Sequence, residues 1–121
     1  MIDARLRDEV MQLHAQVCAA LADPTRILLL YSLADGPRSV GDMSKNLGIS
    51  QPTVSRHLQN LRNRRMVTST REGQNVYYAL SDARIIQALD LLRAVLADTL
   101  SYQANLAEKV DLTQNSGGMQ L

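Results

Sequence analysis

The sequence is short of several things, and each shortage excludes a class of protein. It has one cysteine, Cys18, so no disulfide can close within the chain and no cysteine-cluster metal site can form from one copy. It has no Trp and no Phe, and its four Tyr make aromatics only 3% of 121 residues. The core must then be built from Leu, Ile, Val, Ala and Met, which favours helices packed on helices. No apolar run approaches the ~20 residues that a membrane span needs. The opening stretch MIDARLRDEVMQLHAQ mixes both charge signs and lacks the apolar centre of a signal peptide. The expectation is a cytoplasmic protein with no membrane partner. There is no glycine-rich phosphate loop. His14, His57 and the one cysteine are spread over predicted helices with no orienting acid at a recognisable spacing. An enzyme is therefore not expected, nor a cofactor.

What is present is an uneven distribution of charge. The chain as a whole carries +1. From Arg38 to Asn75, seven basic residues face two acidic ones, a net of +5, and the remainder nets −4. A basic middle between acidic ends is the footprint of a phosphate-facing surface, because Lys and Arg displace the counterions condensed on DNA. A solvated basic face would carry the same signature.

Periodicity divides the chain. Residues 3–20 read as a helix through Leu6, Val10, Leu13, Val17 and Leu21. Asp23-Pro24 supplies an N-cap and a first-turn proline for a second helix over 24–34. That helix carries Ile27, Leu28, Leu30, Tyr31 and Leu33, too many apolar positions for an exposed face, so burial is expected. Ser39-x-x-Asp42 opens a short third helix, with Val40, Met43 and Leu47 inward, and Gly48 suits its left-handed end. Ser50 is the expected cap of a fourth helix reaching Met66, whose apolar stripe (Val54, Leu58, Leu61) is narrow. Val67–Arg71 and Asn75–Leu80 alternate as strands around a turn at Glu72-Gly73-Gln74. Ser81-Asp82 is the expected cap of a long last helix over 82–108, with Ile85, Leu89, Leu92, Leu96 and Leu100 on one side. The polar, glycine-bearing end reads as a flexible tail over 111–121, following a single domain over 1–110.

The fold class expected is mainly α with a small β-hairpin, in the order αααα-ββ-α. The third and fourth helices form a helix-turn-helix, and the hairpin forms a wing. The fourth helix presents a polar N-terminus: Ser50, Gln51, Thr53, Ser55 and Arg56. Helix N-terminal N–H groups and hydroxyls suit phosphates, while Gln and Arg suit base edges in the major groove. Gln51 and Arg56 lead as base readers; Thr53, Ser55 and His57 are candidates for base or phosphate contact. Ser39 and Val54 are grouped with the same surface. Arg62, Arg64 and Arg65 are assigned to phosphate or to solvent, and Arg71, Gln74 and Asn75 at the hairpin tip to the adjacent minor groove or its phosphates.

These stretches resemble the ArsR/SmtB-type family of bacterial winged-helix repressors. The resemblance is carried by Leu21-Ala-Asp-Pro-Thr-Arg-Ile-Leu28, Ser39-Val-Gly-Asp-Met43, Gln51-Pro-Thr-Val-Ser-Arg-His-Leu58, Leu61-Arg62 and Gly73-Gln-Asn-Val-Tyr-Tyr-Ala-Leu80. It implies a homodimer joined by the first and last helices. It further implies a repressor on double-stranded DNA, at an inverted-repeat operator, released by a signal. Dimerisation is also expected independently, since the last helix carries more apolar surface than one small domain covers.

The signal is not legible. Where the family's cysteine motif would lie, this chain has Ser39 and Gly41, without a thiolate. Where its Asp/His metal site would lie, it has Asp82, Arg84, Val95 and Asp98, so both imidazoles are missing and Arg84 opposes a cation. The branch with paired redox cysteines is also similar, yet the second thiol position holds Tyr31. No metal is expected. His14 and Cys18, four apart on one helix face, are the residual sensor candidates. The preferred reading of Cys18 is a core residue and of His14 a surface or interface residue. A constitutive repressor and a thiol-responsive regulator through Cys18 are the alternatives within the class. A winged-helix protein-interaction module without DNA binding is the alternative outside it.

Overall fold

The computed structural model describes residues 1–109 with their side chains and carries the backbone of the last helix to Met119. The stretch expected as a tail over 111–121 is described only as the backbone of that helix to Met119, and residues 120–121 lie outside the described residues. The chain divides into two units, Met1–Ile86 and Gln87–Leu121.

The first unit begins with a helical arm. It comprises α1 (Ala4–Leu13), a π-helical turn (His14–Cys18) and α2 (Ala19–Leu21) in one continuous run. Asp3 caps it, its carboxylate accepting the Leu6 N–H at 2.8 Å. The helix α3 (Pro24–Ser32) starts as its sequence dictates: Asp23 accepts the Thr25 N–H, and Pro24 occupies a position that lacks a backbone partner anyway. Its buried residues are Leu29 and Leu30, with Leu33 just beyond its end. Leu28, expected inside, is 51% exposed. In the run Ile27-Leu28-Leu29-Leu30 any phase satisfies an apolar pattern, and only packing selects the inward one.

Next come β1 (Arg38–Ser39) and α4 (Val40–Leu47). Ser39 caps α4 by accepting the Asp42 N–H at 3.1 Å. Gly48 closes α4 in the left-handed region, at φ 66°. The recognition-type helix α5 (Gln51–Asn63) follows, three residues shorter than the Met66 end expected. Its C-terminus is a Schellman motif: the Met66 N–H bonds the Leu61 carbonyl and the Arg65 N–H the Arg62 carbonyl. Arg65 takes the left-handed position usual for glycine, at φ 62°. Ser50 does not cap α5 with its side chain; its hydroxyl donates to Thr53 Oγ1 at 2.9 Å.

The strands β2 (Val67–Glu72) and β3 (Asn75–Leu80) pair antiparallel from Val67↔Leu80 to Glu72↔Asn75, leaving Gly73-Gln74 as a two-residue turn. Gly73 has φ 63°, which the turn requires. The sheet has three strands, because β1 pairs with β3 through Arg38↔Tyr78 and Ser39↔Tyr77. That strand was not anticipated: two residues are too few to show an alternation. The core collects Leu29, Leu30, Leu33, Met43, Val54, Leu58, Leu61 and Val67.

The last helix, α6 (Arg84–Met119), begins after Asp82, whose carboxylate accepts the Arg84 N–H and pairs with the Arg84 guanidinium. Ser81 instead donates to the Arg65 carbonyl. In the second unit, Leu92, Val95, Leu96 and Leu100 are all exposed. No helix among the described residues is long and apolar enough to cross a membrane.

Candidate nucleic-acid interface

The two faces of α5 have opposite chemistry. Val54, His57, Leu58 and Leu61 are buried, while Gln51, Arg56, Gln59, Arg62 and Asn63 are exposed. The turn Gly48-Ile49-Ser50 holds α5 against α4: the Ile49 N–H returns to the Ser44 carbonyl, and the Ser44 hydroxyl donates to the Ile49 carbonyl. Gln51 lies over α4, since a Cβ at Gly41 would sit 3.7 Å from its side-chain nitrogen. The N-terminal turn of α5 is thus held by α4 and left open to solvent.

Arg56 and Arg62 make no side-chain hydrogen bond or ion pair among the described residues, and neither do Lys45 or Arg71. Their charges are available to an anion. Arg38 and Arg64 are not: Arg38 donates to the Ser32 carbonyl, and Arg64 to carbonyls of the helical arm. Arg71, Gln74 and Asn75 are exposed around the hairpin turn, with Glu72 among them.

Several of the residues expected at the interface lie elsewhere. Val54 is fully buried and belongs to the core. His57 is 8% exposed and sits on the buried face of α5. Arg26 Nη1 donates to its Nδ1 at 3.3 Å, and its Nε2 lies 3.9 Å from the Asp23 carboxylate. The Thr25 N–H, more than the nearby His57 and Arg26, holds the Asp23 carboxyl below its usual value. Ser39 is half-buried, and its oxygen is engaged as the α4 cap. Thr53 and Ser55 are half-buried; Ser50, Gln51 and Arg56 are exposed as expected. Gln59 was missed. It follows Arg56 by three residues, and that spacing on the polar face could have found it.

Of the sensor candidates, His14 and Cys18 are both exposed, at the two ends of the π-helical turn. Cys18 therefore leaves the core assigned to it. No residue of the arm before Ala19 is buried, so the arm offers Cys18 no core to join. Asp82 is held down to about 2 by the side-chain hydrogen bond from Arg84, then by the Arg84 N–H.

A helix-turn-helix with a basic, outward-facing second helix and an adjoining hairpin defines a winged-helix DNA-binding domain. Residues 23–69 match the family model for "Bacterial regulatory protein, arsR family". The transcriptional regulator CmtR of Mycobacterium tuberculosis is 37% identical over 119 residues, covering 93% of this chain and 98% of the relative. The transcriptional repressor SdpR of Bacillus subtilis is 32% identical, covering 78% of this chain and 93% of its own. A solved homodimeric winged helix-turn-helix domain from Mycobacterium bovis superposes with a TM-score of 0.71 at 29% identity, over 84% of this chain and 93% of that one. The chain belongs to the ArsR family of bacterial transcriptional regulators.

Proposed function

We propose that the protein is a cytoplasmic repressor that binds an inverted-repeat operator as a homodimer. The observation that carries this reading is the exposed face of α5, where Arg56 and Arg62 have no internal partner while the opposite face is core. Each α5 enters a major groove, Gln51 and Arg56 meet base edges, and Arg62 meets a phosphate. Arg71, Gln74 and Asn75 reach the flanking minor groove or its phosphates. Two half-sites about one helical turn apart follow from a twofold dimer. The dimer reading is supported by apolar side chains left exposed on the arm (Leu6, Val10, Met11) and on α6 (Leu92, Leu96, Leu100). The homodimer of the M. bovis domain supports it too.

The decisive measurement is anisotropy of labelled duplex DNA against protein at several salt concentrations, alongside sedimentation of the free protein. Binding whose log K falls linearly with log salt is expected. Affinity without a salt slope overturns the DNA reading in favour of a protein-interaction module. Release is assigned to a signal of unidentified chemistry. The exposure of Cys18 favours one second reading, a thiol-responsive regulator. If a Cys18→Ser variant and the parent release DNA alike under oxidant or persulfide, that reading is lost.

A further inference from the structure

The recognition helix is tied to the helical arm by two arginines, and one of the ties coincides with the π-helical turn. In that turn the Ala19 N–H bonds the His14 carbonyl, five residues back. In a regular α-helix it would bond Ala15. The Ala15 carbonyl thereby loses its α-helical donor, and Arg64 takes the place. From the C-terminal end of α5, 49 residues on, Arg64 Nη1 donates to the Ala15 carbonyl and to that of Gln16 at 3.4 Å. Asn60, one turn earlier on α5, receives Arg64 Nε at 3.0 Å and fixes the guanidinium.

The second tie lies nearer the arm's end. Arg26 Nε donates to the Ala20 carbonyl at 2.7 Å and Nη2 to that of Ala19 at 3.2 Å. The same guanidinium holds His57 on the buried face of α5. Both charges sit against the carbonyl-rich C-terminal part of the arm, where the helix dipole favours cations.

We propose that Arg64 and Arg26 are positioning residues for DNA reading: they clamp α5 to the arm, and Arg64 maintains the π turn. The turn holds one residue more than an α-helical turn. Regularising it rotates the arm's apolar residues Leu6 and Val10 by about 100° relative to the end that contacts α5. The clamp therefore links the arm's face to the direction of the recognition helix. This rests on the reading above, in which the arm joins two copies and α5 reads DNA. A change of phase in the arm then alters the separation of the two recognition helices, and an operator with fixed half-site spacing detects it.

The test uses Arg64→Met and Arg64→Lys, with Arg62→Met as a control for charge loss. Each is measured by sedimentation, thermal melting and anisotropy against two duplexes. One duplex is selected by the parent protein from a random pool, and the other is its scramble. For Arg64→Met the expected result is a dimer whose affinity for the selected duplex falls about 3- to 30-fold, with scramble affinity and salt slope unchanged. Amide hydrogen exchange at residues 14–20 is expected to change with it. Arg64→Lys keeps the charge and a donor, and is expected to lie between parent and Met. If the ratio of the two affinities is unchanged in the Met variant, the clamp is overturned. If both affinities fall together with the salt slope, Arg64 is a phosphate contact and the clamp is again overturned. Should Arg64→Met fail to fold, an Arg64→Lys variant with parental ratio and parental exchange at 14–20 overturns it equally. A monomeric parent protein overturns the dimer reading itself, which the sedimentation arm detects separately.

Discussion

Replacing Arg56 with alanine tests its proposed DNA contact separately from folding. Arg56 is exposed, and no hydrogen bond or ion pair holds it among the described residues. Its removal orphans no buried group, so thermal stability should stay within about 0.5 kcal/mol of the parent. A bidentate guanidinium on a base edge contributes about 1–3 kcal/mol of discrimination. A homodimer presents two copies, so the loss at an inverted repeat is about 2–6 kcal/mol, or upward of about 30-fold in affinity. A base contact and a phosphate contact differ in their salt response. Loss of a phosphate contact lowers the slope of log K against log salt by about one per copy, and does so on any sequence. The assay is anisotropy on a selected duplex and its scramble at four salt concentrations, with a parallel melt. The expected outcome is a large loss on the selected duplex, little on the scramble, and an unchanged slope. Equal losses on both duplexes, or none on either, would refute the assignment of Arg56 to bases.

Other perturbations test the fold that presents this surface. Leu58 is fully buried on the inner face of α5, so Leu58→Ala should cost about 2–5 kcal/mol in denaturant unfolding; a loss under about 1 kcal/mol would show that α5 does not seat in the core as described. Gly48→Ala meets nothing within 4 Å but forces a side chain into φ 66°. It should destabilise by about 1 kcal/mol through backbone strain alone. The Asp82 carboxyl is held at about 2, below its ordinary 3.8, by Arg84. Its contribution to stability is therefore fully present above about pH 4 and lost as pH falls through about 2. Melting temperatures of parent and Asp82→Asn should differ at pH 5 and draw together as pH falls from about 4 towards 2, and a constant gap would contradict the pairing.

Much of the architecture was legible because its signals are local. Asp23-Pro24, Ser39 with Asp42, and Gly48 act on backbone groups within four residues, and each does what its chemistry predicts. Gly73 likewise places the hairpin turn. Ser50 is a local exception, its hydroxyl bonding Thr53 rather than a helix N–H; the other failures lie mostly where a residue's partner is distant in sequence. His57 stands among polar residues and reads as part of the DNA face, yet Arg26, 31 residues earlier, draws it inside. Arg64 reads as a surface charge, yet its acceptors lie 49 residues back. Val54 fits both the apolar stripe and the expected interface, and burial leaves only the stripe. Leu28 and Leu29 exchange roles because a continuous apolar run contains no phase.

By itself the sequence determined the order of the main helices and the hairpin, the helix-turn-helix they form, and the basic residues Arg56, Arg62 and Arg71. Caps, turn glycines and charge act at short range and need no partner to be read. Only the tertiary structure decided which members of the polar helix remain at the surface. It also decided that the arm carries a π turn and that two arginines bind that arm to the recognition helix. Those outcomes depend on backbone carbonyls and buried faces brought together across tens of residues, and a local pattern carries no record of which groups will meet.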